Sequence, residues 1–104
     1  MKSDSFFEEV YAAVKKIPRG RVLNYVRVAA MCGRPRASRI VGCALHVNPY
    51  FGEVPCHRVV FADGSLADAF AFGGADVQRH MLESEGVIFL KDGRVDMKRS
   101  LWTE

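Results

Sequence analysis

Phe6, Phe7, Val10, Val14 and Ile17 recur at close to 3.6 residues, which predicts an amphipathic helix over residues 5–16. Ser5 with Glu8 three positions on has the form of a capping box, and Pro18-Arg19-Gly20 supplies the stop. Residues 21–23 read as a short extended piece. Tyr25 to Met31 follows as a short helix closed by Cys32-Gly33, and Pro35 opens another over about 36–47, ended by Asn48-Pro49. Two short helices joined by a tight Gly-containing turn have the form of a helix-turn-helix over about 25–47. The second carries the small residues Ala37, Ser38, Gly42 and Ala44, which suit close approach to a backbone, either DNA or another helix.

Val59-Val60-Phe61 reads as a strand and Ala62-Asp63-Gly64 as a turn. Residues 66–74 are small and apolar, and their pattern assigns no element. A helix is expected over 75–85, with Val77, Met81 and Leu82 as its buried face and Gly86 as its cap. Val87 to Leu90 and Arg94 to Asp96, on either side of Lys91-Asp92-Gly93, predict a small hairpin placed to act as a wing. The expected fold is mainly α with a small β component, a winged helix-turn-helix forming one domain over 1–104.

Composition narrows the class. With 104 residues, 49% of them hydrophobic and 26% charged, the chain fits one modest core. No run approaches the roughly 18 apolar residues a membrane span requires, and the amino terminus is polar, so a soluble, cytoplasmic protein with no membrane partner is expected. Three cysteines without a CxxC spacing make a disulfide framework an unsuitable reading. Cys43 and His46 share a helical face, but no second tight ligand pair accompanies them, so no metal is expected. The net charge is only +3, yet Lys15, Lys16, Arg19, Arg21, Arg27, Arg34, Arg36 and Arg39 run without an intervening Asp or Glu. Such a stretch is either a phosphate-binding surface or a solvated basic face.

Candidate chemistry centres on Val54-Pro55-Cys56-His57-Arg58-Val59-Val60. A thiol acts as its thiolate, and His57 and Arg58 are groups able to lower its pKa. In a strand Cys56 and His57 would face opposite ways, so their cooperation requires a turn or helix start, which Pro55 makes plausible. The alternative is a buried Cys56 filling the core beside a satisfied His57.

Tyr25, the Arg36-to-Leu45 helix, Asn48-Pro49, the Pro-Cys-His-Arg-Val run and Glu85-Gly86 resemble, in order and spacing, the active-site domain of O6-alkylguanine-DNA alkyltransferases over about residues 5–90. That family carries a winged helix-turn-helix, flips an alkylated guanine from duplex DNA and moves the alkyl group irreversibly to the motif cysteine, with no cofactor. The resemblance implies Cys56 as nucleophile, His57 as the base acting through a water, and Glu85 as the carboxylate orienting His57. It implies Tyr25 as donor to the departing guanine and Asn48 as the brace of the Cys56 turn. Arg39 would replace the flipped base, with Ala37, Ser38 and Gly42 against the minor groove and Arg34 and Arg36 among the DNA contacts. A monomer suffices for such binding.

The chain also departs from that pattern. The amino-terminal domain of full-length members is not represented, and a Gly-x-Tyr-x-Gly-Gly stretch is replaced by Asp68-Ala69-Phe70-Ala71-Phe72-Gly73-Gly74, about two residues longer. The short length, the Glu85-to-Phe89 and Gly93-to-Met97 segments and Trp102 are similar to alkyltransferase-like proteins, which bind alkylated DNA, carry Trp in place of the cysteine and pass the lesion to nucleotide excision repair. Single-turnover alkyl transfer to Cys56 is therefore the expected function, with a non-enzymatic damage sensor that recruits nucleotide excision repair proteins as the alternative. A helix-turn-helix regulator without lesion preference is a third reading.

Overall fold

The computed structural model describes residues 2–50, 52–66 and 73–103. Helix α1 spans Lys2–Lys15, strand β1 Leu23–Asn24, α2 Tyr25–Met31 and α3 Ser38–His46. A single 3-10 turn at Cys56–Arg58 leads into β2, Val59–Val60; α4 (Gly74–Ser84) and α5 (Met97–Ser100) complete the order. The mainly helical architecture with a two-stranded sheet is the one expected.

α1 starts before Ser5, so Ser5 lies inside the helix and the predicted capping box is not its start. Its inner face follows the expected period: Phe6, Val10, Val14 and Ile17 are buried, and Tyr11 and Ala13 join them. Tyr11 also donates from its hydroxyl to the Ala44 carbonyl at 2.7 Å, tying α1 to the middle of α3. Val28, Ala29, Val41, Ala44 and Leu45 close this core from the helix-turn-helix side, the valines and leucine each contributing roughly 1.5–3 kcal/mol before entropy is counted.

α2 has the predicted bounds because its ends are marked. Asn24 accepts from the Arg27 N–H at 2.8 Å as its N-cap, and Gly33 adopts φ 77° beyond Cys32. α3 begins two residues later than expected, with Arg36 still in the preceding turn and Ala37 as N-cap; Val47 is the C-cap.

β1 and β2 pair in parallel, Leu23 with Val59 and Asn24 with Val60, bringing the starts of α2 and of the Cys-His turn side by side. A parallel bridge from Val22 to Leu101 anchors the C-terminal segment. The expected wing forms a hydrogen-bonded turn: Leu90 N–H donates to the Arg94 carbonyl at 2.7 Å, and Phe89 and Val95 make a single antiparallel bridge. Neither arm is long enough for a strand. On α4, Leu82 is fully buried, but Val77, predicted to face inward, is exposed, and Gln78 is buried in its stead. The substituted stretch over 68–74 falls largely outside the described residues. Among the described residues, no helix is long and apolar enough to cross a membrane.

Candidate active site and nucleic-acid interface

Pro55 breaks the extended path before the motif, and the turn that follows lets Cys56 and His57 serve different neighbours while both remain buried. Gln78 locks this turn from α4. Its amide donates to the carbonyls of His57 and Val59, each at 3.1 Å, satisfying acceptors that would otherwise be sealed from water.

Asn48 is buried at the end of the helix-turn-helix. Its Nδ2 donates to the Val54 carbonyl at 3.3 Å, its Oδ1 accepts from Tyr50 N–H at 2.8 Å, and its side chain hydrogen-bonds the Cys56 thiol. The residue thus links the exit of α3 to the approach to the cysteine. Burial pushes the Cys56 thiol above its ordinary value, while the hydrogen bonds from Asn48 and the backbone act in the opposite direction without overcoming it. Cys56 therefore rests as a thiol and needs a base.

His57 Nε2 donates to Glu85 Oε2 at 2.9 Å, which leaves Nδ1 as the acceptor of the neutral ring. Burial holds His57 below its ordinary pKa, and Arg58 and Arg19 add to that, against the opposing pull of Glu85. At neutral pH the imidazole is free to take a proton. Arg58 does not face the thiol as the sequence reading allowed. It grips Glu85 with both arms, Nε to Oε1 at 2.9 Å and Nη2 to Oε2 at 2.8 Å, and reaches the Ile17 carbonyl with Nη1 at 2.8 Å. Burial alone would raise the Glu85 carboxyl, but the Arg58 and His57 contacts outweigh it and bring it down to about 2.

Cys56 adjoins two hollows. The smaller, about 230 Å³, is shared with His57, Arg58 and Glu85. The larger is a cleft of about 820 Å³ between α2, α3 and the end of β2, within the size range of small-ligand sites. Tyr25, Ser38, Arg39, Gly42 and Phe61 line it with Cys56. Burial, and secondarily the nearby Cys56, raise the Tyr25 phenol above its ordinary value, so it remains a proton donor.

Eight of the predicted residues, Cys56, His57, Glu85, Asn48, Tyr25, Arg39, Ser38 and Gly42, thus meet at or directly behind one cleft. Others do not. Ala37 packs against the core, Arg34 lies over the Phe6 ring at 4.9 Å, and Arg36 is exposed in the turn before α3. Reasoning from sequence missed Gln78, whose only signal is a polar residue amid an apolar helical stripe. It also missed Phe61 as a cleft wall.

The model of the family described as "6-O-methylguanine DNA methyltransferase, DNA binding domain" matches residues 5–87. The methylated-DNA–protein-cysteine methyltransferase of Salmonella typhimurium is 42% identical over 85 residues, 82% of this chain and 48% of that protein, so the chain spans about half the length of such relatives. The DNA base-flipping protein of Escherichia coli is 39% identical over 103 residues, 97% of this chain and 77% of its own. Among solved structures, S. pombe Atl1 in complex with damaged DNA containing O6-carboxymethylguanine superposes with TM-score 0.85 at 31% identity, with full coverage of both chains. Mycobacterium tuberculosis OGT in complex with DNA gives 0.73 at 38% identity, over 79% of this chain and 49% of that one. With the helix-turn-helix, the Cys-His-Glu arrangement and these matches together, the chain belongs to the O6-alkylguanine DNA repair family whose DNA-binding domain is that of the 6-O-methylguanine DNA methyltransferases.

Proposed function

We propose that this chain binds duplex DNA containing O6-alkylguanine, turns the lesion out into the 820 Å³ cleft and transfers its alkyl group irreversibly to Cys56. The observation that carries this reading is the position of Cys56. The thiol adjoins the cleft on one side and, on the other, a hollow shared with the neutral His57 and the ionised Glu85.

The O6 substituent of a stacked guanine cannot be approached in line by a buried thiol, so extrusion is required; unstacking costs a few kcal/mol and least for a poorly paired base. Arg39, exposed at the cleft, fills the space the base leaves, and exposed cations of the 15–39 stretch such as Lys15, Arg27 and Arg36 hold the phosphates without reading sequence. His57 Nδ1 accepts the thiol proton through a bridging water while Glu85 holds the ring. The sulfur then forms a bond to the alkyl carbon as the bond from that carbon to O6 breaks, and the electron pair passes to guanine. Tyr25 donates the proton that neutralises the departing base and is reprotonated from His57 through solvent. The products are S-alkylcysteine and unmodified guanine; a thioether is a poor leaving group, so each molecule acts once. The acceptor is the protein itself, and the reaction calls for no cofactor.

With a duplex carrying a radiolabelled O6-methyl group, transfer should plateau at one label per protein molecule and be lost in Cys56→Ala. Continued label release beyond that ratio, or full transfer by Cys56→Ala, would refute the assignment.

The second reading is a damage sensor that holds the lesion and recruits nucleotide excision repair proteins. The near-complete correspondence with the base-flipping protein and with Atl1 favours it. It predicts that Cys56→Ala protects cells against alkylation as well as the natural chain, whereas Tyr25→Ala and Arg39→Ala do not.

A further inference from the structure

We infer that Phe61 sets the adduct preference of this cleft, selecting O6 substituents with an aromatic ring over O6-methyl; the inference rests on the lesion-binding reading above. Phe61 is 46% exposed and lines the cleft that contains Cys56 and Tyr25. Its ring meets that of Tyr25 with centroids 5.1 Å apart and planes at 42°. Val26 and Val47, 50% and 57% exposed, line the same cleft, so its mouth offers apolar surface beside the exposed Arg39 and His46.

The ring is mounted rigidly. Phe61 N–H donates to the Ser65 carbonyl at 3.0 Å, and the Phe61 carbonyl accepts from Gly64 N–H at 2.8 Å. Asp63 Oδ1 accepts from the Ser65 N–H at 2.9 Å and from its hydroxyl at 2.5 Å. Gly64 has φ 90°, and a Cβ there would come within 2.5 Å of the Val95 carbonyl oxygen, so the turn is seated against the neighbouring segment. A methyl group covers little of such a wall. A benzyl group presents a flat apolar face, for which an offset or tilted partner ring supplies attraction beyond area alone.

The test measures dissociation constants for three otherwise identical duplexes, with guanine, O6-methylguanine or O6-benzylguanine, all in a Cys56→Ser background so that transfer cannot consume the lesion. The wild-type ring should favour O6-benzyl over O6-methyl. Phe61→Ala should weaken O6-benzyl binding roughly three- to tenfold and change O6-methyl binding by less than about twofold, with Phe61→Leu between. Because the residue is half exposed, its loss leaves the core intact. Equal weakening for both lesions would overturn the inference by showing that Phe61 only positions Tyr25, and no effect on either would overturn it outright. Failure of the parent to distinguish either lesion from guanine would instead remove the lesion-binding reading itself.

Discussion

Replacing Glu85 by Gln keeps the shape of the side chain but removes the charge on which His57 and Arg58 converge. The carboxyl sits at about 2 in the fold against an ordinary 4.5, a gap equivalent to at most ~3.4 kcal/mol if none of it were screened. Solvent reaches the cluster beside Arg19, whose side chain is 69% exposed, so about 1–2 kcal/mol is the expected share. A group with a depressed pKa stabilises the fold fully above its unfolded value and ceases to do so as pH falls through its folded value. In urea titrations from pH 7 to pH 2, the wild type should therefore exceed Glu85→Gln by that amount above pH 4.5. The advantage should fade towards about pH 2. His57, held below its ordinary pKa, costs stability as pH falls below 6.5 in both proteins, and more so in Glu85→Gln, which lacks the carboxylate that opposes that lowering, so the wild-type advantage should widen below pH 6.5 before it fades. Glu85→Gln should also slow alkyl transfer, because the ring loses its orienting acceptor. A stability difference that stays constant from pH 7 to pH 2 would refute the reasoning, since it would mean that Glu85 is not held as a charged partner.

Gln78→Leu should lose about 2 kcal/mol in urea unfolding, since the His57 and Val59 carbonyls it serves would be buried without donors; a loss below about 0.5 kcal/mol would show that water replaces the amide. Asn48→Ala removes a contact that lowers the Cys56 thiol while leaving its burial, so the pH profile of iodoacetamide labelling at Cys56 should move to higher pH. An unmoved profile would separate Asn48 from the sulfur. Asn24→Ala, which strips the N-cap of α2, should cost about 1 kcal/mol by thermal unfolding. Affinity for lesion duplex should fall with salt, and Lys15, Arg27 or Arg36 changed singly to Ala should each lower the slope of log K against log salt by about 0.9 where that residue contacts a phosphate. A slope shared by all variants would place DNA on another face.

The helix-turn-helix was legible because both helices carry local stop and start chemistry: Asn24, Gly33, Pro35 and Asn48-Pro49 punctuate the chain, and α2 matches its reading residue for residue. Some boundaries differ from the reading. α1 begins before Ser5, and the wing closes with one bridge because its arms are too short for a ladder. The motif residues were readable as chemistry, but their division of labour was not. Arg58 neighbours Cys56 in sequence yet pairs with Glu85, 27 residues away, and that contact arises only when α4 packs behind the Cys-His turn. Gln78 escaped notice because helical periodicity weighs a polar residue as outward facing, whereas two orphan carbonyls call it inward. The raised Cys56 thiol likewise follows from burial, which a run of letters does not show.

The intact mass of the protein after incubation with duplex DNA containing O6-methylguanine, followed by peptide mapping, tests the central claim most directly. The account predicts a gain of one methyl in place of a hydrogen, located on Cys56 and absent from Cys56→Ala. An unchanged mass alongside tight, lesion-selective binding would contradict transfer and assign the cleft to damage recognition alone.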